Sequence, residues 1–112
     1  MKIYHNPKCS KSRKTLELIS ELKEDVEIIE YLKTPPTKNE LLEIVSMLEI
    51  SPVDLIRKGE IEYKDNFKGK DLTSEEWIAA MVKFPKLIER PIVINNGSAI
   101  IGRPPENVTK LL

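Results

Sequence analysis

The spacing of hydrophobic residues changes near the N-terminus from a strand pattern to a helix pattern. Residues 2–5 form a short β-prone run that ends at Asn6-Pro7, where the chain is expected to turn. Leucine and isoleucine then recur at helical spacing, at Leu16, Leu18, Ile19 and Leu22. Residues 26–31 are rich in β-branched side chains and are followed by Thr34-Pro35-Pro36, which ends a strand. This part of the chain therefore predicts a βαβ unit.

Three helix-start signals follow in the middle of the chain. Capping boxes occupy residues 37–40 and 73–76, and Ser51-Pro52 places a cap residue before a proline at the first helical position. The apolar residues of the predicted helices are Leu41, Leu42, Val45, Leu48, Val53, Leu55, Ile56, Trp77, Ile78, Met81 and Val82. Because Pro85 lies just beyond the last helix, we expect a helical insertion at about residues 37–86.

Strand patterns return at residues 91–94 and 99–101, separated by a turn that contains Asn96-Gly97. Asn-Gly between two β-prone runs predicts a hairpin, and Pro104-Pro105 leads into a short C-terminal helix. The order of elements predicts an α/β fold in which the βαβ unit and the hairpin share one mixed four-stranded sheet with flanking helices. This is a thioredoxin-like fold with a helical insertion between strands two and three, and its size fits a single domain, residues 1–112.

The charge balance excludes strong attraction to nucleic acid or to an anionic membrane. Eighteen basic residues are matched by eighteen acidic ones, so any anion binding is expected to be local. No apolar run approaches the roughly 20 residues needed to cross a bilayer. We therefore expect a cytosolic monomer that has no nucleic-acid or membrane partner.

The only cysteine and the only histidine, Cys9 and His5, lie close together at the first predicted turn. One cysteine excludes an internal disulfide, and the pair offers too few ligands for a protein zinc site, so no metal is expected. Where a strand passes into a helix, the amide groups of Ser10, Lys11 and Ser12 are expected to bind an anion and to lower the pKa of the thiol. The alternative is that Cys9 is a small buried apolar residue and His5 a hydrogen-bonded residue at a strand end.

Two other cysteine chemistries are excluded by residues at fixed distances from Cys9. A Cys-x-x-Cys oxidoreductase needs a second thiol where this chain has Ser12, and a Cys-x5-Arg phosphatase loop needs arginine where it has Thr15. What remains is a single nucleophilic thiolate beside a hydroxyl group. Four basic residues either add positive potential here or form a solvated face: Lys8, Lys11, Arg13 and Lys14.

Arginine is scarce in this chain, with four residues against fourteen lysines, and it is preferred where an oxyanion is bound bidentately. Arg90 directly precedes Pro91 at the start of the third predicted strand, and Arg103 directly precedes Pro104 at the end of the fourth. Pairing of these strands brings the two arginines together, at the sheet end that faces the first helix and Cys9. Arg57, in the insertion, is a third candidate. The alternative is that all three are ordinary surface residues.

Four motifs in order along the chain together resemble the glutaredoxin-coupled arsenate reductases of the ArsC family: His5–Arg13, Tyr31–Pro36, Arg90–Val93 and Gly102–Pro104. The resemblance implies the same thioredoxin-like fold. It implies that Cys9 is the nucleophile, that His5 favours its thiolate and that Ser12 supplies the neighbouring hydroxyl. It also implies that Arg57, Arg90 and Arg103 bind the oxyanion, and that Arg90-Pro91 is a cis-proline position.

The reaction implied by the resemblance is the reduction of arsenate to arsenite. The Cys9 thiolate attacks arsenate, glutathione or an equivalent thiol reduces the arsenic as co-substrate, and glutaredoxin resolves the mixed disulfide on Cys9. No bound cofactor is expected. Two alternatives stay open: a general glutathione-dependent thiol or disulfide reductase of the same family, and a Spx-like regulator that binds RNA polymerase. The redox switch of such regulators is a Cys-x-x-Cys motif, which Ser12 excludes here.

Overall fold

The computed structural model of the chain describes residues 1–22 and 25–111, and its contacts form two compact units. The first unit contains Met1–Thr34 and Arg90–Leu112, and the second contains Pro35–Glu89. The second unit corresponds to the predicted helical insertion, with each boundary moved outward by a few residues. That residues 1–112 form a single domain stays a prediction, and positions 23, 24 and 112 lie outside the described residues.

The first unit is built on a mixed four-stranded sheet with the strand order β2-β1-β3-β4. Strand β1 (Lys2–His5) pairs in parallel with β2 (Glu27–Glu30), and helix α1 (Ser10–Glu21) connects them. Strand β1 also pairs antiparallel with β3 (Ile92–Asn95), which pairs antiparallel with β4 (Ser98–Ile101). This arrangement confirms the predicted fold class, a thioredoxin-like α/β fold.

The hairpin between β3 and β4 turns where its sequence predicts. Asn96 and Gly97 both have positive φ angles, 51° and 79°, as the tight two-residue hairpin turn requires. The predicted C-terminal helix is a 3-10 helix, Pro105–Leu111. It packs with α1 on one face of the sheet, over a core centred on Ile3, Ile19 and Val93.

The inner face of α1 is polar near its start and apolar further along. Its buried residues are Ser12, Thr15 and Ile19, a spacing that places them on one side of a helix. Leu22, predicted to continue the apolar face, is 49% exposed. Because side chains alternate along a strand, His5 lies on the same face of β1 as the fully buried Ile3, beneath the start of α1.

The second unit is helical and has its own core. Its elements are α2 (Lys38–Leu48), a 3-10 turn (Pro52–Leu55), α3 (Ile61–Asn66), α4 (Ser74–Lys83) and a second 3-10 turn (Pro85–Leu87). Both predicted capping boxes are present, since Thr37 exchanges hydrogen bonds with Glu40 and Thr73 with Glu76. Trp77 packs against the rings of Tyr63 and Phe67, with centroid separations of 6.3 and 5.8 Å.

The insertion departs from its predicted pattern in three places. The helix predicted after Ser51 is a single 3-10 turn, and Ile56 lies beyond it in an isolated β-bridge with Ile88. Leu42 and Val82, assigned to apolar helix faces, are 42% and 40% exposed. Helix α3 was not predicted. Within residues 1–22 and 25–111, no helix is both long and apolar enough to cross a membrane.

Candidate active site

Cys9 occupies the position just before the first turn of α1. Asn6 ends the strand and turns the chain: its backbone carbonyl accepts the N–H of Cys9 at 3.0 Å, and its side-chain oxygen accepts the N–H of Lys8 at 3.0 Å. The backbone of Cys9 is extended, and its carbonyl accepts the N–H of Arg13, which is the first helical hydrogen bond. Cys9 is therefore the N-cap residue, where amide groups without helical partners surround its side chain.

The environment of Cys9 lowers the pKa of its thiol. Burial acts in the opposite direction and raises this pKa, but backbone N–H donors and positive charges together outweigh it. The donors are the amides of Ser12 and Lys11, and the charges are those of Arg90 and Arg103. The side chain is half-buried and forms no disulfide. The site therefore favours a thiolate that is still open to reaction.

Arg103 contacts both the sulfur of Cys9 and the backbone of Arg90. Its Nη1 lies 3.9 Å from Sγ of Cys9 and donates to the backbone carbonyl of Arg90 at 3.2 Å. The pairing of β3 with β4 explains this proximity, because Ile92 lies opposite Ile101 and the two arginines stand just outside that pair. The Arg90-Pro91 bond is cis, as the resemblance implied, and the Arg103-Pro104 bond is cis as well.

The guanidinium of Arg90 has one buried donor that is available to a ligand. Its Nε is buried and has no hydrogen-bond partner within the part of the chain that the structure describes. A buried guanidinium donor without a partner destabilises the protein relative to a hydrogen-bonded one. An anion bound between Cys9 and the arginines would supply an acceptor for such a donor.

His5 contacts Ser12. The His5 Nδ1 lies 2.6 Å from Oγ of Ser12, which also accepts the backbone N–H of Asn6 at 3.0 Å. Burial lowers the pKa of His5, with Arg13 acting in the same direction and Glu30 opposing it, so the ring is neutral near pH 7. In a neutral ring, Nδ1 either accepts the hydroxyl hydrogen of Ser12 or donates to the Ser12 oxygen, depending on the tautomer. The predicted influence of His5 on the thiolate stays a prediction.

Arg57 lies in the second unit, whereas the other predicted site residues lie in the first. Its guanidinium forms an ion pair with Glu60, and its backbone N–H donates to the carbonyl of Leu87 at 2.7 Å. Ser10 and Lys11 form the exposed start of α1. The structure thus brings together Cys9, Ser12, Arg90, Arg103 and His5. The catalytic and binding roles assigned to these residues stay predictions.

Two further residues at this site were missed in the sequence. Thr15 is fully buried on α1, and its hydroxyl lies 3.4 Å from the carbonyl oxygen of Gly102. The two residues are 87 positions apart. The only sequence signal was Gly102, the glycine before Arg103, and a glycine does not by itself indicate which residue packs against it.

Comparison with known proteins shows the family of the chain. Residues 4–111 match the model of the ArsC family. An arsenate reductase of Haemophilus influenzae is 47% identical over 98% of this chain and 97% of its own length. The Escherichia coli protein named uncharacterized protein YfgD is 46% identical over 100% of this chain and 96% of its own length.

A solved structure extends the likeness from sequence to fold. The arsenate reductase from Vibrio cholerae is 45% identical to this chain and superposes with a TM-score of 0.94, covering 100% of this chain and 98% of its own. Since both the family model and these relatives span nearly the whole sequence, the chain belongs to the ArsC family.

Proposed function

We propose that this protein is an arsenate reductase that uses Cys9 as its nucleophile. The observation that carries the proposal is the contact of 3.9 Å between Arg103 Nη1 and Cys9 Sγ at the start of α1. It places a permanent positive charge beside a sulfur whose pKa is lowered by helix amides. The name of a relative that is 47% identical over nearly its full length, an arsenate reductase, supports arsenate as the oxyanion.

The first step of the proposed reaction is attack of the Cys9 thiolate on arsenic. The new sulfur–arsenic bond displaces one oxygen of arsenate, which leaves as water after accepting protons. Arg90 and Arg103 neutralise the remaining arsenate oxygens. The Nε of Arg90, which has no partner among the described residues, is a donor suited to one of them. Fixed donors of this kind contribute about a hundredfold to a thousandfold each to the rate when charge develops on oxygen.

The second step needs a thiol from outside the chain, because Cys9 is the only cysteine. Glutathione, or an equivalent thiol, attacks Cys9 Sγ, and the electron pair of the sulfur–arsenic bond passes to arsenic. Arsenic falls from the +5 to the +3 state, arsenite leaves, and a mixed disulfide remains on Cys9. A second thiol, which we assign to glutaredoxin, reduces this disulfide and restores the thiolate. Two thiols are consumed for each arsenate and one disulfide is formed.

Three other residues complete the proposed site. Arg57 is assigned as a third oxyanion ligand, which requires its guanidinium to exchange or share its contact with Glu60. The backbone N–H of Ser12 donates to the sulfur of Cys9, and neutral His5 contacts the Ser12 hydroxyl and holds it in place. The amides of residues 10–12 supply donors to the bound anion.

The direct test is arsenite formation from arsenate by the purified protein with glutathione and glutaredoxin. We expect turnover by the wild type and none by Cys9→Ser, whose hydroxyl is a far weaker nucleophile. Ser20→Ala is a matched surface control on the same helix. Absence of turnover by the wild type, or full turnover by Cys9→Ser, would exclude the proposal.

Omitting one component at a time identifies the thiol donor. We expect glutathione alone to support at most a single turnover and to leave Cys9 as a mixed disulfide, detected by the added mass of glutathione. Addition of glutaredoxin should then release the adduct and restore multiple turnovers. Steady turnover without glutaredoxin would assign the last step to a different thiol.

A further inference from the structure

Gly102 touches both the helix that carries Cys9 and the segment that carries Arg90. It is buried between the end of β4 and Arg103. A Cβ atom built on Gly102 would lie 2.6 Å from Oγ1 and 3.1 Å from Cγ2 of Thr15, and 2.8 Å from Cγ of Pro91. Real Cβ atoms essentially never approach another heavy atom within 3.0 Å, so even a methyl group at Gly102 requires its neighbours to move.

Neither neighbour is the mobile end of a long side chain. Thr15 is fully buried, and its hydroxyl donates to the carbonyl of Lys11 at 2.8 Å, so its β-branched side chain is held in one rotamer. Pro91 is a buried ring, and its carbonyl accepts the N–H of Gly102 at 2.9 Å. An added methyl group would therefore separate α1 from the two arginine segments.

The same contact is coupled to both arginines and to the helix amides. Pro91 directly follows Arg90, and Gly102 directly precedes Arg103. On the other side, Lys11 presents its N–H to the sulfur of Cys9 and its carbonyl to Thr15. The spacing between α1 and Gly102 is thus also the spacing between the sulfur and the charges that stabilise it.

We propose that Gly102 and Thr15 are positioning residues that set how closely Arg90 and Arg103 approach the sulfur of Cys9. They act through α1 and through the two segments that carry the arginines. The attraction between a thiolate and a guanidinium weakens as their separation grows, so a wider spacing reduces the hold on the thiolate and on a bound oxyanion. The inference rests on the proposed function only in taking Cys9 as the reacting atom.

The test is the pH dependence of Cys9 alkylation by iodoacetamide in Gly102→Ala. We expect its midpoint to move to higher pH, by up to about one unit, because the arginines stabilise the thiolate less. We also expect the KM for arsenate to rise several-fold. Gly59→Ala is the matched control, since it adds the same methyl group at a position where, apart from Gly59 and its chain neighbours, no heavy atom of the described residues lies within 4 Å. An unchanged midpoint in a folded Gly102→Ala protein would overturn the proposal.

Two substitutions at Thr15 keep the proposal testable if Gly102→Ala does not fold. Thr15→Val keeps the volume of the side chain and loses the hydroxyl, whereas Thr15→Ala loses the volume against which Gly102 rests. We expect the alkylation midpoint of Thr15→Ala to differ from that of the wild type by more than the midpoint of Thr15→Val does. A Thr15→Ala midpoint equal to that of the wild type would overturn the proposal.

Alkylation is measured on the free protein and does not depend on arsenate. If the midpoints move as expected while the wild type does not reduce arsenate, the proposed function fails and the positioning inference stands. If arsenate is reduced but Gly102→Ala and Thr15→Ala titrate like the wild type, the positioning inference fails and the function stands.

Discussion

Arg103 reaches the sulfur of Cys9 from 94 positions further along the chain, with 3.9 Å between Nη1 and Sγ. The same Nη1 donates to the carbonyl of Arg90. One guanidinium therefore serves two purposes: it places a positive charge beside the thiolate, and it fixes the segment that carries the second arginine. The pairing of β3 with β4 makes this possible, since it sets the separation of the two arginine segments.

Replacing Arg103 by alanine should impair both the thiolate and the binding of the oxyanion. We expect kcat/KM for arsenate to fall about a hundredfold or more and the midpoint of Cys9 alkylation to move to higher pH, because a charge that lowers the pKa of Cys9 is lost. Arg103→Lys keeps the charge, so its alkylation midpoint should stay close to that of the wild type. Its kcat/KM for arsenate should still fall, since lysine lacks the planar pair of donors. An alkylation midpoint that moves as far in Arg103→Lys as in Arg103→Ala would contradict this division of roles.

Replacing Ser12 by alanine should destabilise the start of α1. The Ser12 Oγ accepts the N–H of Asn6 and lies 2.6 Å from Nδ1 of His5, so the substitution removes one buried and one partly buried hydrogen bond. We expect the free energy of unfolding in denaturant to fall by about 1–3 kcal/mol. Ser20→Ala, an exposed substitution on the same helix, should change it by less than about 0.5 kcal/mol. Equal effects of the two substitutions would show that the buried contact contributes nothing.

His5 should make the protein less stable in mild acid. Burial lowers the pKa of His5 in the folded protein below its ordinary value of 6.5. The unfolded chain therefore binds the proton first as the pH falls, and the free energy of unfolding decreases below pH 6.5 until folded His5 is protonated as well.

The comparison with His5→Asn isolates this contribution from that of the carboxylates, which titrate in both proteins. Between about pH 7.5 and about pH 5.5, we expect the free energy of unfolding to fall more steeply in the wild type than in His5→Asn. Parallel curves for the two proteins would show that His5 does not contribute.

Glu60 should weaken arsenate binding if Arg57 is an oxyanion ligand. The Arg57–Glu60 ion pair is partly buried, with side chains that are 22% and 24% exposed, and such pairs contribute up to about 1 kcal/mol. We therefore expect Glu60→Gln to lower the KM for arsenate by up to about fivefold and Arg57→Ala to raise it. Glu62→Gln removes the same charge two residues further along, inside α3, and is the matched control. An equal decrease in KM for Glu62→Gln would indicate a general charge effect.

Much of the fold could be predicted because its signals are local. The capping boxes at Thr37 and Thr73 and the Asn96-Gly97 turn each involve residues within four positions, and the structure contains all three. Helix α3 carried no such signal: it is six residues long, and Ile61 at its start is 64% exposed. Short exposed helices have little apolar periodicity from which to be recognised.

The site could be predicted only where topology determines proximity. The positions of Arg90 and Arg103 at the ends of paired strands placed them near each other, and the strand-to-helix junction placed Cys9 among free amides. The contact of His5 with Ser12 and that of Thr15 with Gly102 depend on side-chain packing between distant segments. Nothing in the local pattern around these residues specifies which atoms meet.

Trp77 and the thiol of Cys9 report separately on the two units. It is the only tryptophan of the chain, and it belongs to the ring cluster of the second unit, whereas the only thiol belongs to the first. Intrinsic fluorescence therefore follows the insertion, and thiol labelling follows the sheet, in one unmodified sample. Unfolding curves recorded with both signals would show directly whether the chain melts in one transition or in two.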